Sequence, residues 1–227
     1  MLSPSDHERV REAVAEAESH TSGELFCVLA RQTSEYRETP VAWAAGVALL
    51  GPPLTMLAGV RPGMFLRLPN DWMAAHASGL DSAVSTALGT YALLQAVLFV
   101  VVLGIVSLAP VRRALTPGPL KRHRAHRRAL EQFFAKGVHV TRARTGVLIF
   151  LALDDRQVQI VADEGIHAKV DQAVWDRAAA AAVAGLREGG PAEGLVRAVA
   201  VCGAALAEHF PPDQDNPNEL SDELVVI

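Results

Sequence analysis

From Val41 to Val60, and again from Ser82 to Val111, the chain carries no charged side chain. A helix needs about 20 apolar residues to cross a hydrocarbon core. The first run has that length; the second exceeds it and is densest from Tyr91 to Val106. Two such runs joined by a short connector predict a transmembrane helical hairpin over residues 41–111. Gly51-Pro52-Pro53 falls inside the first span, where proline removes backbone donors, so a kink or short break is expected there. Neither span holds an ionisable residue, and two helices cannot enclose a pathway, which argues against transport.

The hairpin leaves about 155 residues for aqueous structure, enough for one domain with a real core. Charge is segregated around it. Residues 1–40 hold eight acids and four bases, residues 129–227 fifteen acids and eight bases, and residues 111–128 seven bases and no acid. Those seven are Arg112, Arg113, Lys121, Arg122, Arg124, Arg127 and Arg128. Basic residues close to a span mark its cytoplasmic side. Arg31 and Arg37 before the first span balance Arg61 and Arg67 in the connector, so the basic block decides. Both termini are expected in the cytoplasm, with Phe65 and Trp72 as interfacial anchors on the far side. The block reads as a juxtamembrane helix over about Pro119–Gly137 that rests on anionic lipid, or as a plain stop-transfer signal that needs no binding partner. His123 and His126 are three apart, but the surrounding arginines disfavour a cation between them. With a net charge of −4, nucleic acid is not an expected partner.

The remaining sequence reads as two incomplete halves. Ser5 with Glu8 forms a capping-box pair ahead of Val10, Ala13, Val14 and Ala17 at helical spacing. Glu24–Ala30 follows as an apolar run of strand length, and a single helix and strand cannot make a core. Gly146–Leu153 is a second apolar strand, Asp154-Asp155-Arg156 a turn, and Gln157–Ala162 a third strand. Asp171 can cap a helix over Gln172–Glu188, and Pro191 can start another that runs to Phe210. Asp213–Glu223 reads as a solvated acidic arm, with Leu224–Ile227 available as a short edge strand. The economical solution is one α/β domain with a mixed sheet and helices on both faces, interrupted in sequence by the hairpin. The expected divisions are an N-terminal half over 1–40, the hairpin over 41–111 and a basic helix over 112–137. The C-terminal half follows over 138–210, then an acidic tail over 211–227. Both halves must then lie on one side of the membrane, which agrees with the charge argument. Cys27 and Cys202 each sit in an apolar setting and read as buried reduced thiols.

Glu18-Ser19-His20-Thr21-Ser22-Gly23-Glu24-Leu25 with the strand after it, Arg144–Phe150, Asp154–Ile160 and the two final helices together resemble the TPM domain family. The resemblance implies an α/β sandwich with an acidic pocket near the strand ends. In some members such pockets are associated with a divalent cation, chiefly calcium, and with acid phosphatase activity. Carried over by position, the acidic candidates are Asp154 and Asp155 after the second strand and Asp163 after the third. The turn there reads Ala162-Asp163-Glu164-Gly165 in place of the family's Gly-rich turn, and the family's domain is usually continuous and exported. Carboxylates at a loop tip suit calcium or another divalent cation, whereas Asp is also favoured in a plain hairpin turn. Glu164 and His167 add weaker candidates beside Asp163. An antiparallel hairpin would hold Asp163 about 20 Å from Asp154 and Asp155, at ~3.3 Å per residue, so one pocket cannot use them all. Glu24 and Arg144 begin apolar strands and are further weaker candidates; if those strands are neighbours, a structural ion pair is expected, with an acid–arginine catalytic couple as the alternative. No phosphate-binding glycine loop, nucleophile elbow or zinc-ligand pair is present. The expected protein is bacterial-type and resident in the cytoplasmic membrane. Its role is that of a binding or accessory module for another membrane protein; the alternative is a divalent-cation-dependent phosphatase centred on Asp154 and Asp155.

Overall fold

The computed structural model describes residues 2–59, 80–212 and 217–227, so Phe65 and Trp72 lie outside the described residues. The chain divides into two compact units, one of Met1–Ser34 with Pro117–Ile227 and one of Glu35–Thr116.

The first unit is a mixed α/β sandwich. Its strands β1 (Glu24–Ala30), β2 (Gly146–Ala152), β3 (Gln157–Ala162) and β4 (Val225–Val226) form a sheet in the order β3-β2-β1-β4. β1 runs parallel to both β2 and β4, and β3 returns antiparallel to β2. All seven residues of β1 and of β2 are buried, which is why both read as unbroken apolar runs. Their side chains alternate between two cores. Leu25, Cys27, Leu29, Val147, Ile149 and Leu151 face α1 (Pro4–Glu18), α7 (Gln172–Glu188) and α8 (Gly190–His209). Phe26, Val28, Leu148 and Phe150 face Ala129 and Phe133 of α5 (Gly118–Ala135). Leu25, Leu148, Ile149, Phe150 and Leu151 are sealed from solvent, each contributing roughly 1.5–3 kcal/mol by burial. The Cβ of an alanine at Gly146 would lie 2.2 Å from the Val138 carbonyl oxygen, so only glycine can open β2 there.

Helix ends follow local chemistry, with one shift. α1 is capped by Ser3 and Asp6, not by Ser5 and Glu8: the Ser3 hydroxyl accepts from the Asp6 amide while Asp6 accepts from the Ser3 amide. Pro4 at the first helical position is the residue that fixes this frame. Asp171 caps α7 as its position in the sequence suggests, accepting from the Ala173 amide at 2.9 Å. Lys136 closes α5, and Gly137 after it takes φ 71°, a left-handed conformation suited to glycine.

The second stretch of the acidic arm is largely exposed but tied to the domain. Leu220 donates its amide to Glu24, Arg142 donates its amide to Glu219, and Val225 and Val226 pair with Val28 and Leu29. Backbone bonds from Arg31 to Ile227 and from Ile227 to Leu29 extend the pairing. The reason is the second edge of β1, which must be covered because both faces of that strand are buried.

The second unit holds α2 (Glu38–Leu57), α3 (Leu80–Ser107) and α4 (Ala109–Leu115). α2 and α3 pack on each other. α2 continues through Pro52 and Pro53 without a break, with the Thr55 hydroxyl donating to the Pro52 carbonyl. Trp43 donates its indole N–H to the Leu115 carbonyl at 3.2 Å. Many large apolar side chains point outward, among them Leu49, Leu50, Leu54 and Leu57 of α2 and Leu88, Val97, Val100 and Ile105 of α3. Among the described residues two helical stretches are long and apolar enough to cross a membrane. Leu88–Ser107 has mean hydropathy 2.3 and is 6% buried, whereas Gly190–His209 has 1.3 and is 44% buried, being α8 of the core.

Candidate functional site at the carboxyl end of the sheet

Parallel strands leave their open carbonyl ends and the following loops at one rim, where ligands gather in α/β sheets. Here that rim is made by the segment after β1 and the turn between β2 and β3. The turn is stitched to β1: Leu153 donates its amide to Ala30 and Asp154 donates to the Arg31 carbonyl. Arg156 closes the turn at φ 52°. Asp155 is buried, 4% exposed, and accepts from both the Thr33 amide at 2.7 Å and the Thr33 hydroxyl. Asp154 lies 3.8 Å from the Arg31 guanidinium. The two acids that sequence singled out are thus committed to holding the β1 exit against the β2–β3 turn.

The surface beside them is basic. Arg124 donates to the Ser34 hydroxyl, anchoring α5 to the same segment. Arg127 and Arg128 converge on Glu131 at 3.3 and 3.1 Å. Thr33, Ser34, His123, Arg124, Arg127 and Arg128 line a concavity of about 460 Å³, to which neither Asp154 nor Asp155 contributes. Of the basic block, then, Arg124, Arg127 and Arg128 gather at this rim. Arg112 and Arg113 lie in α4, while Lys121 and Arg122 open α5.

Asp163, Glu164 and His167 lie at the opposite end of the β2–β3 hairpin. Asp163 is buried and caps α6 (Glu164–His167), accepting from the Glu164 amide at 2.7 Å; among the described residues its other oxygen has no hydrogen-bond partner. Glu164 and His167 are exposed. The amino end of β1 is at this side too, since Glu24 is in register with Gly146. The expected ion pair between Glu24 and Arg144 does not form. Arg144 takes φ 53° in the turn before β2, and the Glu24 carboxylate accepts instead from the Leu220 amide at 3.1 Å. Burial raises the Glu24 carboxyl above its ordinary range.

Glu18 is the residue that sequence reasoning missed. It accepts from the Leu25 amide at 2.8 Å, and burial, with the nearby Glu24 and Asp222, pushes its carboxyl up to about 8. Only the pairing of an acid at a helix end with a buried strand start hinted at it. Both thiols are free and buried, and burial pushes Cys202 up to about 12 and Cys27 further in the same direction. Among the described residues no three His, Cys, Asp or Glu side chains are grouped to hold a metal ion.

Compared with known proteins, residues 114–205 match the family described as TPM domain. The fold is similar to the NMR structure of BA42 protein from the psychrophilic bacterium Bizionia argentinensis, with a TM-score of 0.56 and 18% sequence identity. That likeness covers 100% of this chain and 96% of the other. No curated protein matches the sequence.

Proposed function

Because the chain carries a TPM domain, we propose that it works as a membrane-held binding module, with that domain presented at the cytoplasmic surface to another membrane protein. The observation that carries this reading is the outward apolar surface of α2 and α3. A soluble monomer rarely exposes contiguous apolar area beyond a few hundred Å², and leucines and valines at 45–85% exposure run along both helices. Lipid is the medium that covers such a surface along its whole length. The domain is then split by its own anchor, a bacterial membrane form of the TPM architecture. The basic residues from Arg112 to Arg128 follow α3 in sequence and set the orientation. Arg112 and Arg113, nearest the end of α3, also supply contacts with anionic lipid.

The test is topology. Reporter fusions at the amino terminus, near Ala77 and at the carboxyl terminus should place only the middle one outside, and the protein should resist alkaline extraction from membranes. An exported amino terminus sinks the reading. Assays with a chromogenic phosphomonoester, with and without calcium, should give no hydrolysis above that of a catalytically blank membrane. Hydrolysis abolished by Asp154→Ala would replace the binding role with the phosphatase one.

A further inference from the structure

The sheet ends on β3, and among the described residues no strand lies beside its outer edge. Gln157 and Gln159 of this strand look toward α5, while Val158 and Ile160 look toward the other core. A concavity of about 730 Å³ lies on the α5 side, bordered by Arg122, His123, His126, Gln157 and Gln159. A second, of about 440 Å³, lies on the α7 side, bordered by Arg156, Arg187 and Val158. Arg122, Gln157 and Gln159 border both, so the two meet along the strand. No carboxylate among the described residues lines either one. Among the described residues the side chains of Arg122, Arg156, Arg187, His123 and His126 have no ion-pair or hydrogen-bond partner. Arg127 and Arg128, one turn further along α5, spend theirs on Glu131.

A strand edge offers a row of backbone donors and acceptors to any extended chain. Charge of one sign along its rim selects among candidates. Two copies of β3 would oppose arginine to arginine, so the rim discourages self-pairing, whereas an acidic strand gains both the ladder and the charge pairs. A phosphate headgroup would satisfy the cations and leave the edge unused. We propose that the outer edge of β3 receives an extended acidic segment of a partner protein by strand addition, with Arg122, Arg156 and Arg187 meeting its carboxylates. This rests on the binding-module reading and names the partner's chemistry.

The probe is a blocked hexapeptide of alternating Glu and Val, titrated into the full chain in nonionic detergent. Fluorescence anisotropy should saturate, and the amide signals of residues 157–162 should shift most. Arg122→Glu with Arg187→Glu should weaken binding at least tenfold, and the Gln pair at the same sites should fall between; both helix positions are exposed, so folding is retained. Unchanged affinity in the Glu pair overturns the proposal. So does equal binding of the peptide with alternate amides methylated, since charge alone would then suffice. Phosphatidylglycerol vesicles that shift these amides when the peptide does not would assign the surface to lipid and overturn it as well. The topology experiment is independent of Arg122 and Arg187, so a failure here is separable from failure of the membrane reading.

Discussion

At the scale of single residues, the acids of this domain are structural before they are anything else. Asp155 fastens Thr33, 122 positions upstream, and Glu18 fastens the start of β1. Glu18 makes the sharper prediction. In an unfolded chain it titrates near the ordinary glutamate value of 4.5; in the fold its carboxyl is held up to about 8. Between those limits the folded state binds more protons than the unfolded state, so stability falls as pH rises and levels off above the upper limit. The melting temperature should be lower near pH 8.5 than near pH 6 by roughly 5–10 °C, from about 2.5 kcal/mol at about 2–4 °C per kcal/mol for a domain of this size. Glu18→Gln should remove most of that slope, with Glu24, shifted the same way by burial, supplying the remainder. Calorimetry across the range reads it, and an unchanged slope in Glu18→Gln would show that another group carries the proton.

Secondary elements tell a different story about what was legible. β1 and β2 are readable because strands buried on both faces must be apolar throughout, and α7 because Asp171 announces it. The tail's edge strand was legible in Leu224–Ile227, but the strand that receives it was not. Val225 pairs with Val28 nearly two hundred residues away, and two residues of strand leave no periodic trace. The candidate acids were found as residues, but not their partners, because Thr33 and Arg31 become neighbours of the turn only through the β1–β2 register. Close helix packing was equally silent until glycines were placed. Gly185 of α7 sits against the Glu193 carbonyl of α8, and Gly194 of α8 sits against the Ala182 carbonyl of α7. A Cβ at Gly194 would come within 2.8 Å of that oxygen. Gly194→Ala should therefore cost ~1–3 kcal/mol through forced separation of the helices, measurable by urea denaturation. An Ala at Gly118, where nothing lies within 4 Å, should not.

For the whole molecule, the sheet is continuous in space although the chain that builds it is interrupted. The sheet and its helices are built from Met1–Ser34 and Pro117–Ile227, and the segment between them forms a unit of its own. Ser34 already touches α5 through Arg124. Replacing residues 35–116 by a Gly/Ser linker of about six residues should give a monomeric α/β domain that folds without detergent, with a cooperative melt and a dispersed amide spectrum. Aggregation of that protein despite intact secondary structure would mean that the inserted unit is needed for the fold itself.

The place of β1 at the middle of the sheet also imposes a schedule. Both of its neighbours are encoded downstream, so from Ala30 the chain must grow by 116 residues before Gly146, the first residue of β2, exists. At about 5–20 residues per second that is roughly 6–23 s. Through that interval a fully apolar heptamer waits on the nascent chain while two longer apolar stretches emerge behind it. What keeps Glu24–Ala30 from being taken for membrane in that time is its brevity.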